Sequence, residues 1–565
     1  MSSCGEDELR DETTAEDCSD LSDNDRDGLV DCEDSGCWHL EACGRVDGDA
    51  DVDADGDADG DDDVPARFRP LVEVIERELA ALGAPGVAVA VIEGGEVVFA
   101  AGFGSRRPGE QDPVEPTTLF RIASVTKMLT TVGLLQLVED GDVVLSAPIT
   151  DYLPDFAFIR DPSWASSITV EHLLTHASGM YDYIAIDGDR EDSALSEFLN
   201  GEFGELVYLM APAGRMYNYT NPGYMLAGLV TETVSGTYYR TYLTENVLAP
   251  LGMSRTFFLP SEVLADGDYA TGDTTDWETG NPMLVEPETY DNAWARPAGF
   301  AYSSVLDLAR FVAFLRDGDP AVLGDAERAA MQSPRIDTEM FLDLVHYGYG
   351  LLVSEGGFYG PGAWDFYDVR VVMHDGALPG FSSELFYVPE LDVGFVTLAN
   401  TDGAYFYESF AAVLHTIADM PRPVASPDLT MSREELESFA GDYLDPYNVG
   451  RVQVSLDGER LVVSMPDLDA LGIPYDEELT PTSPRNFMLG LQGWPVAVTF
   501  ILDEGGAVEY LRTRYFVAAR VAAGAPPGPR AHRPPPGLAA MLRRLRQVPP
   551  EPLPFGVPGI DRVVE

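Results

Sequence analysis

Lysine is almost missing from this sequence: 565 residues contain 34 arginines and a single lysine, Lys127. Cysteine is absent after residue 43, and no uninterrupted apolar run reaches eighteen residues, so no transmembrane segment is predicted. Positive charge is scarce overall, with a formal net charge of −61. Nucleic acid is therefore excluded as a partner, and an anionic membrane surface is a poor one.

The five cysteines all lie near the start of the chain, at Cys4, Cys18, Cys32, Cys37 and Cys43. A cysteine cluster ahead of a cysteine-free body indicates disulfides and an oxidising compartment. No basic stretch followed by an apolar stretch precedes it, so no signal peptide is visible. We nevertheless expect an exported protein, whether periplasmic, surface-bound or secreted.

Composition divides the chain into four parts. Residues 1–64 form an acidic head and spacer, in which residues 1–63 carry 25 acidic side chains against three arginines. Such a self-repelling segment is expected to be largely disordered. Globular sequence follows at 67–420, a β-rich segment at 432–520 and a proline-rich tail at 521–565.

One stretch of the head has the spacing of a calcium loop. Its acidic residues occupy positions 1, 3, 5, 9 and 12 around Gly28, and they are Asp23, Asp25, Asp27, Asp31 and Asp34. The last position normally carries the longer glutamate, so a structural calcium ion would be held weakly. The alternative is an acidic spacer in which this spacing arises by chance.

The body at 67–420 predicts an α+β fold, one antiparallel sheet flanked by helices. Leu71–Leu82 has helical periodicity, and two apolar strands meet at Gly94-Gly95 as a hairpin. Further strands are predicted at Leu385–Pro389 and Val393–Ala399. Because strands come first and last with helices between, we expect both ends of the domain to complete one sheet.

Lys127 follows Ser124 by three residues at the start of an apolar segment typical of a buried helix. Residues three apart on a helix share a face, so the two side chains can meet. A serine hydroxyl needs a base to become a nucleophile, and burial favours the neutral, basic form of lysine. Arginine cannot be deprotonated, so the only position that retains lysine is one where a removable proton matters.

Two further motifs supply partners for this pair. Tyr219 and Asn221 stand two residues apart before a helix, as a proton relay and a positioning amide. His374 and Gly376 precede a strand, where Gly376 would let a substrate approach closely and the Ala377 N–H would help to bind an oxyanion. Taken alone, the Tyr219 and Asn221 motif is equally typical of a core tyrosine followed by an asparagine in a turn. The His374 and Gly376 motif alone is typical of a simple turn.

Together, Ser-x-x-Lys, Tyr-x-Asn and His-x-Gly in this order resemble the serine β-lactamase and D-Ala-D-Ala carboxypeptidase family, whose members include penicillin-binding proteins. Flanking segments are similar to its class C β-lactamase-like branch, which includes esterases and D-aminopeptidases. The resemblance covers about 70–420, and the segments that carry it are Ile168–Met180, PAGRMYNYTN, Leu248–Met253, Ala295–Phe311 and HDGALPGFSS.

The resemblance implies a β-lactamase/transpeptidase-like fold with an all-helical subdomain and catalysis without a cofactor. It makes Ser124 the acylated nucleophile, with Lys127 and Tyr219 as general base and acid and with Asn221, His374 and Gly376 positioning the substrate. The backbone N–H groups of Ser124 and Ala377 form the oxyanion hole. The implied substrate is a small ester or amide, or a peptidoglycan-like peptide.

Two positions depart from the family pattern. His374 stands where β-lactamases and carboxypeptidases of this branch carry a lysine, so a fixed positive charge for a substrate carboxylate is missing. Phe300 replaces a common glycine in a segment near the pocket. The departures favour esterase- or amidase-like substrates over β-lactams. A β-lactamase or carboxypeptidase proper, and a non-catalytic peptidoglycan- or penicillin-binding surface protein, remain the alternatives.

The remaining patterns are weaker. His172 and His176 have a spacing that can bind metal on a helix, but neither a neighbouring glutamate nor a third ligand is present, so we expect no metal site there. Residues 432–520 alternate apolar and polar residues and resemble the small lipocalin-like β-barrel appended to this branch. Such a barrel caps the active site, contacts the substrate or merely packs beside the catalytic domain, and we expect the last.

Overall fold

The computed structural model describes residues 64–276, 279–360 and 365–522, with four residues further on, 538–539 and 541–542. The acidic head with its five cysteines and its calcium-like loop lies outside the described residues, as does most of the tail. No helix in the described part of the chain has the length and apolarity needed to cross a membrane.

The described helices range from single turns to helices of 15 residues. They are α1 (Arg69–Leu82), α2 (Thr126–Glu139), α3 (Val170–Leu174), α4 (Ala194–Asn200), α5 (Phe203–Leu206), α6 (Asn221–Ser235), α7 (Tyr239–Leu243), α8 (Pro260–Asp266), α9 (Arg296–Gly299), α10 (Val305–Asp317), α11 (Asp325–Met331), α12 (Tyr407–Ile417), α13 (Arg433–Phe439) and α14 (Pro466–Asp469).

The strands fall into an early group, a late group and a barrel group. They are β1 (Gly86–Glu93), β2 (Glu96–Gly104), β3 (Phe120–Arg121), β4 (Gly272–Thr275), β5 (Pro282–Val285), β6 (Tyr302–Ser303), β7 (Ile336–Asp337), β8 (Val345–Tyr347), β9 (Leu352–Ser354), β10 (Gly357–Phe358), β11 (Phe366–Tyr367), β12 (Val371–Leu378), β13 (Phe381–Val388), β14 (Val393–Ala399), β15 (Gly441–Asp445), β16 (Gly450–Asp457), β17 (Arg460–Ser464), β18 (Glu478–Ser483), β19 (Asn486–Leu491), β20 (Trp494–Leu502), β21 (Val508–Arg512) and β22 (Val517–Val521).

One eight-stranded sheet in the order β2-β1-β14-β13-β12-β9-β8-β7 forms the centre of the body at 67–420. The antiparallel pairing of β1 with β14 joins the two ends of this region, which confirms the predicted topology. The predicted hairpin is confirmed too, because Gly94 and Gly95 take φ angles of 65° and 87° between β1 and β2. Two consecutive left-handed residues suit a tight hairpin turn, and glycine adopts them without steric cost.

Helices cover both faces of the sheet. On one face, Phe410 of α12 stacks on Phe386 of β13 with ring centroids 4.1 Å apart, and α1 packs beside α12. On the other face, α10 packs on β1 and β14. Helix α2 packs against α6 and α9. Apolar side chains around most of α2 are buried, as expected for a helix inside the core.

Strands β15 to β22 close into an eight-stranded barrel with its own apolar core. Closure comes from the antiparallel pairing of β15 with β22. The turn after Asp457 joins β16 to β17, and Gly458 takes a left-handed φ of 67° there. The predicted fold class, a helix-flanked antiparallel sheet with a C-terminal barrel, is confirmed.

Candidate active site

Ser124 lies in a 3-10 turn, Ala123–Val125, that leads directly into α2. Ala123 adopts a φ of 45°, a left-handed conformation that is unfavourable for an alanine and is common at functional turns. Thr126 holds the turn, since its hydroxyl donates to the Ala123 carbonyl at 2.7 Å. The serine is therefore presented by a constrained backbone at the beginning of a buried helix.

The fully buried Lys127 contacts three oxygen atoms. Its Nζ lies 2.9 Å from Ser124 Oγ, 2.9 Å from Asn221 Oδ1 and 2.5 Å from the Ala298 carbonyl oxygen. The amide and carbonyl oxygens only accept hydrogen bonds, so two N–H groups point at them. The third substituent position on Nζ faces Ser124. If Lys127 is charged, Nζ donates a proton there; if Lys127 is neutral, Nζ presents its lone pair.

Tyr219 donates its hydroxyl hydrogen to Ser124 Oγ at 2.8 Å. Its ring packs on His176 with centroids 4.1 Å apart, and His176 Nδ1 accepts from the Thr220 N–H at 3.1 Å. Burial raises the pKa of Tyr219 well above its ordinary value, although Arg514 and the Ser124 hydrogen bond act in the opposite direction. The resting side chain is therefore a neutral phenol.

Asn221 is oriented by a buried carboxylate. Asp182 Oδ1 accepts from the Asn221 backbone N–H at 2.8 Å and from its Nδ2 at 3.0 Å. This contact directs the amide oxygen of Asn221 towards Lys127. Asp182 Oδ2 in turn accepts from Arg514 Nε at 2.8 Å, and the guanidinium of Arg514 lies 4.5 Å from the Tyr219 ring centre.

Arg514 belongs to the barrel, in the turn between β21 and β22. Its neighbour Arg512 reaches the same region, donating to the carbonyl oxygens of Tyr217 at 2.6 Å and Thr338 at 2.9 Å. The prediction that the barrel merely packs beside the catalytic region is therefore wrong. The prediction failed because the alternation of apolar and polar residues predicts a barrel, but it does not show which turn of the barrel contacts the rest of the protein.

His374 lies in β12 beside Tyr219 but carries no positive charge. Its Nδ1 hydrogen bonds to the Asp375 carbonyl oxygen at 2.5 Å, which places the ring proton on Nδ1 because a carbonyl only accepts. Its Nε2 then accepts from the Tyr347 hydroxyl at 3.0 Å. Burial, together with the charge of Lys127, lowers the pKa of His374 to about 3.

Gly376 lies in β12 where the strand packs against the turn that carries Ser124. A Cβ placed there would lie 2.6 Å from the Ile122 carbonyl oxygen and 3.0 Å from the Ala123 Cβ. A side chain at this position would therefore collide with the turn that carries Ser124. The glycine thus lets β12 approach the Ser124 turn closely, and its role in substrate approach stays a prediction. Beyond Met373, β12 pairs with β13 on one edge and with no described strand on the other, which leaves that edge open beside Ser124.

The site opens into a small cavity with a volume of about 50 Å³. Phe300 and Gly299 form part of its wall, so the residue that departs from the family pattern lies in the pocket itself. The cavity is lined by Ser124, Ile184, Tyr217, Tyr219, Asn221, Ala298, Gly299, Phe300, Met340, Tyr347, Leu352, Met373, His374, Asp375, Ala377, Leu378, Tyr407 and Arg514.

No group of three or more potential metal ligands is found among the described residues. His172 caps α3 through Thr169, and His176 lies beyond that helix with a left-handed φ of 56°. The two histidines therefore do not share a helical face, and His176 instead supports Tyr219. The calcium-like loop of the head lies outside the part of the chain that the structure describes.

Sequence reasoning missed four polar residues of the site: Asp182, His176 in its supporting role, Asp375 and Arg514. A sequence signal existed for Asp375, because it is the middle residue of the His-x-Gly motif and so lies between two predicted site residues. Nothing in the sequence pointed to Asp182 or Arg514, because their contact joins residues 332 positions apart.

Comparison with known proteins agrees with this geometry. A family model described as Beta-lactamase matches residues 71–418. Protein flp of Staphylococcus aureus strain NCTC 8325 is 26% identical over 340 residues, which are 59% of this chain and 63% of that protein. The unguisins hydrolase ungD' of Aspergillus campestris is 28% identical over 359 residues, 61% of this chain and 64% of that protein. The chain thus spans slightly less than two thirds of these curated relatives.

Solved structures show the same fold. The octameric penicillin-binding protein homologue from Pyrococcus abyssi aligns with a TM-score of 0.51 and 24% identity over 80% of this chain and 99% of its own. SurE aligns with a TM-score of 0.59 and 23% identity over 81% and 99%. The D-amino acid amidase from Ochrobactrum anthropi SV3, complexed with L-phenylalanine amide, aligns with a TM-score of 0.51 and 27% identity over 62% and 98%.

Proposed function

Because the chain belongs to the beta-lactamase family, we propose that it is a serine hydrolase that cleaves an ester or amide bond through an acyl-enzyme on Ser124. One observation carries this proposal. Ser124 Oγ lies within hydrogen-bond distance of both Lys127 Nζ, at 2.9 Å, and Tyr219 OH, at 2.8 Å, and it faces a cavity. A nucleophile contacting both a base and an acid suits acyl transfer.

Lys127 and Tyr219 divide the proton transfers between them. Lys127, neutral at the moment of attack, takes the hydroxyl proton of Ser124 while Oγ bonds to the substrate carbonyl carbon. Tyr219 gives its proton to the leaving amine or alcohol as the scissile bond breaks, and Lys127 returns the proton to Tyr219. Water then adds to the acyl group, and the acid product leaves as Ser124 Oγ is reprotonated.

The charge that develops on the carbonyl oxygen needs donors that are already in place. We assign them to the backbone N–H groups of Ser124 and Ala377. The close approach of β12 to the nucleophile turn, which Gly376 permits, supports this assignment. The open edge of β12 beyond Met373 supports it too, because a substrate can extend along it without displacing a strand.

The substrate class follows from the charge of the pocket and from the relatives. His374 is neutral, so the pocket has no fixed cation at the position where related enzymes hold a substrate carboxylate. A D-amino acid amidase and an unguisins hydrolase stand among the similar proteins. We infer that this chain acts on an ester or amide, with a D-amino-acid amide or peptide as the favoured candidate.

A labelling experiment tests the proposal. The protein is incubated with a fluorophosphonate and, separately, with a penicillin, and adducts are located by mass spectrometry, with Ser124→Ala as the control. We expect fluorophosphonate to modify Ser124 and penicillin to give no lasting adduct. An unmodified Ser124 with both reagents contradicts the hydrolase. Rapid penicillin turnover identifies a β-lactamase, and a stable penicillin adduct alone identifies a penicillin-binding protein.

Export forms a separate part of the proposal. The confinement of all five cysteines to the first 43 residues supports an oxidising compartment. Mass measurement of the intact chain before and after reduction tests this, because each disulfide adds two hydrogens on reduction. A chain with five free thiols after purification from its natural compartment contradicts export.

A further inference from the structure

Met340 lines the same cavity as Ser124 but takes no part in the proposed proton transfers. It lies in the segment 338–344 that joins β7 to β8, which we call the β7–β8 loop. Its side chain is half-buried, and a methionine offers an unbranched, apolar surface without charge. Because the cavity has a volume of only about 50 Å³, a side chain on its wall limits what fits beside Ser124.

The backbone of the β7–β8 loop is fixed in an unusual conformation. Glu339 and Leu342 take left-handed φ angles of 56° and 50°, which residues with side chains rarely adopt. The hydroxyl of the fully buried Thr338 donates to the Val345 carbonyl oxygen at 2.6 Å and accepts from the Met340 N–H at 3.3 Å. A conformation of this kind persists where neighbouring parts of the protein impose it.

The barrel supplies contacts to both ends of this loop. Arg512 of β21 donates to the Thr338 carbonyl oxygen at 2.9 Å. Arg485, in the turn between β18 and β19, forms ion pairs with Glu339 at 3.1 Å and with Asp343 at 3.5 Å. The residues on either side of Met340 are therefore held from the barrel.

The same arginine shows which side of the cavity Met340 occupies. Arg512 also donates to the Tyr217 carbonyl oxygen at 2.6 Å, so that one guanidinium joins the Tyr217 and Thr338 backbones. Tyr217 stands two residues before Tyr219, the proposed proton donor to the leaving group. The β7–β8 loop thus lies beside the segment that carries this donor, and Met340 lies on the side of the leaving group.

We propose that Met340 contacts the leaving alcohol or amine of the substrate and limits its size, and that the barrel sets this limit by holding the β7–β8 loop. The inference rests on the proposed hydrolase function and describes the leaving-group side of that same site. The leaving group that fits carries an apolar substituent next to the scissile bond. Met340 is then a specificity residue, which acts on binding and not on proton transfer.

Two series of esters test the contact. One series keeps D-phenylalanine as the acyl part and varies the alcohol from methanol through butanol to hexanol. The other keeps the methyl ester and varies the acyl part from D-alanine through D-leucine to D-phenylalanine. Met340→Ala should raise the ratio of kcat/KM for the hexyl over the methyl ester at least about 10-fold, because it enlarges the leaving-group side. Ratios within the acyl series should change less than about 3-fold. Met340→Leu, which nearly conserves volume, should keep both profiles.

A double-mutant cycle tests the part played by the barrel. Arg485→Ala should shift the hexyl-to-methyl ratio in the same direction, by about 3-fold or more, and should add nothing in the Met340→Ala background, because both changes act through one side chain. Arg460→Ala is the matched control, since Arg460 pairs with Glu478 at 2.7 Å within the barrel and does not line the cavity. Additive effects of Arg485→Ala and Met340→Ala overturn the control by the barrel.

Further controls separate the possible failures. Met431→Ala removes the same side chain from a half-buried position beside the barrel core, away from the cavity, and it should change neither series. A fluorophosphonate expels fluoride, so its labelling of Ser124 reports the nucleophile without using an alcohol. Labelled protein overturns the leaving-group contact alone if it hydrolyses no ester of the alcohol series, or if Met340→Ala leaves that series unchanged or alters both series equally. Protein that neither labels nor hydrolyses any ester overturns the hydrolase as well.

Discussion

At the scale of single residues, the proposed chemistry depends on a proton that lysine can release and arginine cannot. Lys127 is surrounded by acceptors that hold two of its hydrogens, so that its third direction is reserved for Ser124. An arginine would bring the same positive charge but cannot serve as a base near neutral pH. Because the chain has no other lysine, the presence of lysine at this position indicates a role that arginine does not fill.

Lys127→Arg therefore should abolish turnover while preserving much of the charge balance. We expect kcat/KM on the best ester or amide substrate to fall at least about 10³-fold, within the range attributed to a lost general base. Steady-state kinetics measures this effect, and circular dichroism checks that the variant folds. Arg520→Lys, a swap in the opposite direction within the barrel strand β22, is the control and should retain activity. A Lys127→Arg variant with near-normal kcat contradicts the assigned base.

At the scale of elements, the sheet carries an acid that should be neutral. Glu384 of β13 is fully buried, and its Oε2 accepts from the Phe406 N–H at 2.6 Å and from the Thr397 hydroxyl at 2.9 Å. Those contacts tie the beginning of α12 to the sheet. They do not offset the cost of burying a charge, because burial still raises the pKa of Glu384 to about 8.

The raised pKa makes stability depend on pH in a definite direction. Between its ordinary value of 4.5 and about 8, the folded protein holds a proton on Glu384 that the unfolded chain has released. The contribution of Glu384 to the free energy of unfolding therefore falls as pH rises through this window. Glu384→Gln, which stays neutral, should melt increasingly higher than the wild type between pH 5 and pH 8.

Thermal unfolding of both proteins across this range measures the difference. Glu390→Gln, at an exposed position after β13, is the matched control and should follow the wild type. A constant difference in Tm between Glu384→Gln and the wild type at all pH values would show that Glu384 is already ionised when folded.

At the scale of the whole molecule, the barrel contributes Arg514 to the wall of the candidate active site. A continuous set of contacts runs from Arg514 through Asp182 and Asn221 to Lys127. Asp182 is fully buried, and removing the partner of a buried charge costs about 3–5 kcal/mol. We infer that Arg514 is a positioning residue through which the barrel holds the catalytic side chains in place.

Arg514→Ala should lower kcat at least about tenfold and slow fluorophosphonate labelling of Ser124, because Asn221 is no longer held towards Lys127. Arg514→Lys keeps a charge beside Asp182 and should restore part of the labelling rate. Arg520→Ala is the control, since Arg520 donates to the carbonyl oxygens of Ser438 and Ala440 and does not line the cavity. Equal labelling rates in Arg514→Ala and the wild type, with Tm alone reduced, would leave Arg514 a purely structural role.

Much of this protein is determined by local patterns in the sequence. The Gly94-Gly95 hairpin, the buried helix after Ser124 and the late strands follow from periodicity and turn residues, which act over a few positions. Two short motifs, Ser-x-x-Lys and Tyr-x-Asn, also give Ser124, Lys127, Tyr219 and Asn221. The structure brings all four together around Ser124 Oγ.

Only the tertiary structure decided how the motifs affect each other's charge and packing. Burial of His374 removes its charge, and the closeness of β12 to Ala123 gives Gly376 its role. The docking of the barrel brings Arg514 to Asp182 across 332 residues, a contact for which no local pattern exists. Desolvation and long-range pairing depend on which parts of the chain pack together. Local sequence patterns identify the residues, but they do not show which distant segments come into contact.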